Sequence, residues 1–466
     1  MQKSQLIRLY KCLTKAERKQ LKKWVNSPIH NQHKEVVALF EYLDNKVDLN
    51  NKWLDKKRIY AYLFLEEPYS DARLRHIQSY AFSVLEKFVG YNQCFLGGYN
   101  QQKMTLEHYR SNQLPKLHQK TLRKAEKTLH QRPHRNATFH LDAYGLEEER
   151  FKMGSTQRRM EGNNLPQLFT HLSEFFVLTT LKYACTAATH RNIYNTEYEI
   201  PFLEAVLNYA DEDEVSISVK IYYQAYLALT LGDVLCFELL KDDLFDYLSV
   251  FNEEERYELF QICINFCIRK INTGYRDYFE EVFELYQEGL RTEILLDKGI
   301  LSRFTYKNIV SAGLKLQAFE WVRDFIEIYN KKLPLAFQDT YGYYSKAKLA
   351  FIQGDYGQAL TCLLKVEDYD DLFLTLDAKM MLLKIYYEEN SIDALTALIA
   401  SFYVFLRRKE VMSYHKEVYK NTLRLTQKLL QIRPQDQKAK SNLKKEIQTL
   451  TPLVEQEWLL KQVDLL

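Results

Sequence analysis

The sequence predicts an all-α protein, a stacked array of helical hairpins preceded by a small basic helical domain. Three observations predict it. The 466 residues include only 14 Gly and 9 Pro, well under the ~7% and ~5% of ordinary chains, which favours long helices and short turns. Apolar residues recur at helical spacing, and no alternating strand pattern with hairpin turns stands out. The stretch YYSKAKLAFIQGDYGQALTCLLKVEDYD (343–370) parses as two helices around a tight turn.

In that stretch Tyr343, Ala347, Ala350 and Phe351 share one helical face, and Ala359, Leu360, Leu363 and Val366 share another after the turn. Gly354 is placed to end the first helix with positive φ, and Asp355 to cap the second. Small residues at 347 and 359 let the two backbones approach closely. Tyr343, Ala347, Gly354, Asp355, Tyr356 and Ala359 stand in the order of a tetratricopeptide repeat, which the stretch resembles, although Asp371 replaces that repeat's closing proline. The next copy runs through Ala378, Leu382, Ile385 and Tyr386 into EENSIDAL. There Ala394 is expected in the place of Ala359, Asn390 in that of the turn aspartate and Glu389 in that of the glycine. Upstream, Gly313 with Ala318, and YYQAYLALTLGD (222–233), give fainter copies. The resemblance implies a right-handed α-solenoid over roughly 170–430, whose repeats bury their cores against one another.

The front reads as its own unit. LIRLYKCLTKAERKQLKKWV gives two helices, with Thr14 as N-cap and Glu17 three residues on, a capping box. NSPIHNQ is a turn. KKRIYAYLFLEEPYSDARLRHIQSYAFSVLEKFV reads helix, turn, helix, with Ser70 or Asp71 as cap. The start, with the DARLRHIQSYAFSVLEKF segment, is also similar to the starts of a group of uncharacterised bacterial helical proteins, which implies no particular activity. Residues 99–165 read as a basic helical hairpin broken at Pro133, and MGSTQRRMEGNN (153–164) as a linker. The expected organisation is thus 1–98, a basic helical domain; 99–165, the hairpin and linker; 166–430, the acidic solenoid; and 431–466, a C-terminal capping helix.

The first residues carry no apolar leader with a small-residue cleavage site, and FFVLTTLKYACTAA (175–188) is interrupted by Lys182 and too short to span a bilayer. No membrane association is expected. Seven scattered cysteines suit a reducing cytoplasm. Cys263 and Cys267, one helical turn apart on an apolar helix, read as buried free thiols. His30 with His33, and His130 with His134 astride Pro133, lack further ligands, so no metal is expected. The other histidines between His108 and His140 are expected at the surface.

Charge is unevenly spread. Residues 1–166 hold 30 Lys/Arg against 17 Asp/Glu, 167–402 hold 21 against 37, 403–445 hold 12 against 3, and the last 21 residues 1 against 4. Two readings stay open: basic ends packing on the acidic middle or on another copy, or a basic end meeting an anionic partner such as nucleic acid. For the second, Arg73, Arg75 and His76 would open the second helix of a helix-turn-helix pair, with Lys56, Lys57 and Arg58 on the first.

Phosphate-binding loops, dinucleotide fingerprints, zinc-protease and nucleophile-elbow motifs are missing from the sequence. DEDE (211–214) and NEEER (252–256) are expected to open helices, where carboxylates suit the macrodipole. The expectation is therefore a non-enzymatic scaffold without a cofactor. In a tetratricopeptide-like array the first helix of each pair lines a concave groove. The resemblance places Tyr341, Tyr344, Lys348, Lys379, Leu383 and Tyr386 there, to bind a peptide or protein partner. Tyr344 and Lys348 stand where the carboxylate-clamp members carry Lys and Asn, so that chaperone-type activity is not implied.

Overall fold

A computed structural model of the chain describes residues 1–46, 52–65, 67–95, 98–156, 163–194, 196–365, 372–408, 413–433 and 435–466. Half of the expected linker (157–162), with Val366 and Asp371, lies outside the described residues, and the linker's first four residues belong to a helix. The structure is all-α: 77% helical, with 23 α-helices among the described residues. No helix among them is long and apolar enough to cross a membrane. The chain divides into two compact units, Met1–Asn252 and Glu253–Leu466.

The first unit begins with α1 (Gln5–Lys11), α2 (Lys15–Val25), α3 (Lys34–Asp44), α4 (Lys56–Leu63) and α5 (Asp71–Phe95). These close around Leu6, Ile7, Tyr10, Val36, Leu39, Ile59, Leu74 and Leu85. The capping box forms as expected: the Glu17 N–H donates to Thr14 Oγ1 (3.2 Å) and the Thr14 N–H to Glu17 Oε2 (2.7 Å). Of the two candidate caps for α5, Ser70 takes the role, accepting from the Arg73 N–H at 3.3 Å.

Three helices follow where a hairpin was expected: α6 (Tyr99–Ser111), α7 (Pro115–His130) and α8 (Ala137–Thr156), around Tyr99, Leu106, Leu122, Ala125, Phe139 and Leu146. The extra break sits before Pro115. Proline lacks an N–H to sustain the preceding helix but loses nothing at a helix start. At the second break the Arg135 N–H donates to Val250 O (2.8 Å), and Ser218 Oγ donates to Arg135 O (2.9 Å). The unit continues through α9 (Leu165–Tyr194), α10 (Leu203–Ala210), α11 (Ile217–Thr230) and α12 (Val234–Asp246), with α8 packed on α9, α9 on α11 and α11 on α12. The charge switch at 166 thus falls inside one compact unit. DEDE does not open a helix: Asp211 closes α10 and Ser216 caps α11. NEEER does, with Glu253–Glu255 in a first turn.

The second unit runs α13 (Glu253–Asn272), α14 (Tyr278–Arg291), the strands β1 (Leu296–Asp297) and β2 (Ile300–Leu301), then α15 (Arg303–Lys315), α16 (Phe319–Tyr329), α17 (Leu335–Ile352), α18 (Tyr356–Leu363), α19 (Leu372–Glu388), α20 (Ile392–Arg408), α21 (Ser413–Gln431), α22 (Gln437–Thr449) and α23 (Gln456–Leu465). Lys298 and Gly299, both at positive φ, supply the turn of the β1–β2 hairpin, which is too short to give a strand pattern. Cys263 and Cys267 are both fully buried, as expected. The expected single capping helix at 431–466 is instead a pair, α22 and α23. It packs on α21 through Leu425, Leu429, Leu443, Ile447, Leu459 and Val463.

Between α15 and α20 the helices pair and each pair packs on the next, an arrangement compatible with a helical repeat. Three turns close these pairs identically. A left-handed residue (Gln317, φ 57; Gly354, φ 81; Asn390, φ 57) ends the first helix. The next residue's N–H then reaches back to the helix: Ala318 to Gly313 O, Asp355 to Ala350 O and Ser391 to Tyr386 O, each at 2.9 Å. Five residues beyond the left-handed one, Val322, Ala359 and Leu395 are each fully buried. The expected register therefore shifts. Asn390, not Glu389, matches Gly354, because it carries the positive φ; Leu395 rather than Ala394, and Val322 rather than Ala318, match Ala359.

Gly313 is needed for a different reason. A Cβ there would lie 2.5 Å from Val322 Cγ2 and 3.0 Å from Phe283 Cε2. Gly313→Ala is expected to destabilise by about 1–3 kcal/mol through overpacking and Gly354→Ala by about 1 kcal/mol through strain at positive φ. Gly90→Ala, on an open helical surface, is expected to gain up to about 1 kcal/mol. Denaturant midpoints of the three variants check the order.

Candidate functional site

Of the six residues expected in a concave groove, Tyr341 and Tyr344 are 1% exposed and Leu383 is fully buried. These three are core residues and offer a partner no surface. Tyr386 packs on the cluster of Leu376, Leu383, Leu395 and Phe402. Lys379 is half-buried, its Nζ 5.8 Å from the Phe402 ring centre and 5.4 Å from that of Phe405, and burial lowers its pKa. The reason is geometric. The first helices are apolar on more than one side, because each is flanked by its own partner helix and by neighbouring pairs, so aromatic spacing does not reveal the open face.

What the three first helices bring together is a polar row. Lys307 and Ser311 come from α15, Tyr344 and Lys348 from α17, and Asp377 from α19. Lys348 Nζ donates to Ser311 Oγ at 3.4 Å and lies 3.5 Å from Asp377 Oδ2. The Tyr344 hydroxyl donates to Asp377, and the Nζ of Lys307 and of Lys348 stand 6.0 and 5.8 Å from the Tyr344 ring centre. Burial alone would raise the Asp377 pKa, but Lys348, the Tyr344 hydroxyl and Lys307 together hold it below the usual carboxylate range. The Lys348 and Asp377 side chains are 23% and 38% exposed, so the row lies at the surface. Further along α19, Lys384 Nζ pairs with Glu455 at 2.5 Å, and Glu388 accepts from Trp458 Nε1 at 2.7 Å. That end is covered by the chain's own C-terminal segment.

The six residues proposed for nucleic-acid contact lie together on α4 and the start of α5, all but Lys56 well exposed. Their charges are largely spent locally. Lys56 and Arg75 both pair with Asp71, at 2.7 and 3.0 Å, and Arg73 pairs with Glu67 and lies over Phe64. Arg58 lies over Trp53.

The expectation of surface histidines fails at His118 and His140, both buried. Spacing gave no warning: His118 falls on the inner face of α7, and α8, which carries His140, shows almost no one-sided apolar pattern in its sequence. His140 Nδ1 is 3.2 Å from His171 Nδ1, and its Nε2 is 4.0 Å from Glu174, which accepts from Ser216 Oγ at 2.7 Å. Burial, with the charges of His171 and Arg135, pushes His140 down from the ordinary 6.5 to about 4; burial also lowers His118 and His171. Among the described residues no group of three or more His, Cys, Asp or Glu is placed to hold a metal ion.

Compared with known families, with curated proteins and with solved structures, the chain matches none.

The buried histidine sets a pH dependence. Between its folded and unfolded pKa the unfolded chain binds a proton that the folded chain refuses. Stability is therefore complete above about pH 6.5 and is lost as the pH falls toward about 4, by roughly 2 kcal/mol from this group between pH 7 and 5. His140→Gln is expected to flatten that decline in calorimetric melts taken from pH 7.5 to 5. An unchanged slope would assign the decline to other groups.

Proposed function

We propose that the protein is a non-enzymatic interaction scaffold, and that the polar row on α15, α17 and α19 receives a protein segment carrying an acidic side chain. The observation that supports this is the convergence of two lysines, Lys307 and Lys348, from successive helical pairs on a single carboxylate, Asp377. The row is left with one positive charge, partly withdrawn from water and held over a tyrosine ring. A carboxylate arriving there gains charge-assisted hydrogen bonds without having to order the lysines. On this reading the paired helices of 253–466 form a right-handed, tetratricopeptide-like solenoid working in the cytoplasm, and the three identical turns support the repeat. The groove is narrower than the sequence suggests, because its expected tyrosines are buried and its α19 end is covered by α23.

Displayed random peptides selected on the full chain are expected to be enriched in Asp and Glu. They should bind the Lys307→Gln/Lys348→Gln variant at least about tenfold more weakly, a loss of about 1.4 kcal/mol, while its circular dichroism and melting stay unchanged. Selected peptides without acidic residues, or equal affinity for the variant, would refute the assignment.

A further inference from the structure

Part of the charge that the first unit leaves unspent lies on α7; another part lies on α2, where Lys15, Lys19, Lys22 and Lys23 are exposed and in no ion pair among the described residues. The buried side of α7 is His118, Leu122, Ala125 and Leu129. Its outer side presents Lys116, Lys120, Arg123, Lys124 and Lys127, all exposed and none in an ion pair among the described residues. The helix's one acid, Glu126, is engaged by Arg150 of α8. This arrangement works against the helix. Lys116 sits in the first turn, where the macrodipole repels cations and no acidic residue offsets it. The pairs 116–120, 120–124 and 123–127 are like charges four residues apart, each unfavourable. A cleft of about 440 Å³ runs beside the ridge between α7 and α8, with Lys116, Arg123 and Arg150 among its walls.

We propose that this face of α7 binds the phosphate backbone of a nucleic acid. A straight row of cations about three turns long, some 16 Å at 1.5 Å per residue, matches a polyanion of closely and regularly spaced charge. The cleft is also walled by Glu126, whose carboxylate Arg150 engages, so the phosphates lie along the ridge itself and not in the cleft. The face carries no aromatic residue, so it has neither the stacking groups that read single-stranded bases nor the interfacial anchors of a membrane-binding helix. Recognition is therefore of backbone and not of sequence. It is separate from the α4–α5 cluster, where Lys56, Arg73 and Arg75 are in ion pairs and Arg58 lies over Trp53.

The test uses the full chain and fluorescence anisotropy with labelled 20-nucleotide duplex DNA and single-stranded RNA of mixed sequence, from 50 to 200 mM salt. The wild type is expected to bind with a log–log salt slope of about −3 to −4 for about four phosphate contacts, with little preference among sequences. Lys116→Gln/Lys120→Gln/Arg123→Gln/Lys127→Gln should lose at least about a hundredfold in affinity and most of that slope, with its circular dichroism intact. Lys57→Glu/Arg58→Glu should bind as the wild type does. The proposal is overturned if neither nucleic acid binds at 50 mM salt, if the α7 variant binds unchanged, or if the Lys57/Arg58 variant is the one that fails. It is also overturned if the ridge binds phosphatidylserine vesicles or polyglutamate in preference to both nucleic acids.

Discussion

The stretch from α15 to α20 depends on one backbone event repeated three times, a residue in the left-handed conformation that turns one helix back on the next. Once Gln317, Gly354 or Asn390 adopts positive φ, the following N–H closes on the carbonyl five residues back. The second helix then starts at a fixed angle and drives Val322, Ala359 or Leu395 into the core. Everything placed on the first helices inherits its orientation from that turn. The polar row is one result, since Lys307, Lys348 and Asp377 meet only because three first helices lie side by side.

The energy of the turn is unequally shared. Glycine adopts the conformation freely, whereas Gln317 and Asn390 bear its steric cost, about 1 kcal/mol or more for a side chain such as glutamine. The turn persists there because burial of the following helix offsets that cost. Fully burying a valine or leucine is worth roughly 1.5–3 kcal/mol. Packing, and not local propensity, fixes those two turns.

That division explains what could be read from the sequence. Gly354 and Asp355 announce their turn because residue chemistry and backbone conformation agree there. Thr14 with Glu17 and the acidic first turn of α13 were legible for the same reason. Asn390 and Gln317 were not, since the conformation is imposed from outside the local sequence, and the repeat register slipped wherever that happened. The groove failed for a related reason. Tyr341, Tyr344 and Leu383 occupy the positions the repeat pattern assigns to a groove, but spacing cannot distinguish a face turned to solvent from one turned to the next pair. The half-buried polar row needed contacts across α15, α17 and α19, which no single helix encodes.

Regional net charge was similarly a poor guide, and pairing is the better one. The basic front and part of the acidic middle share a unit, so residues 1–252 hold 34 Lys/Arg against 30 Asp/Glu, and 253–466 hold 30 against 31. With the net charge of each unit small, the total charge gives a partner little direction, and recognition by charge turns on where cations are left without carboxylates. At α4 and α5 the surplus is spent, because Asp71 engages both Lys56 and Arg75, and Glu67 engages Arg73. Along α7 no ion pair among the described residues engages Lys116, Lys120, Arg123, Lys124 or Lys127. Cations held in a row without carboxylates destabilise the helix that bears them, and a folded chain that tolerates this cost has the more informative surface.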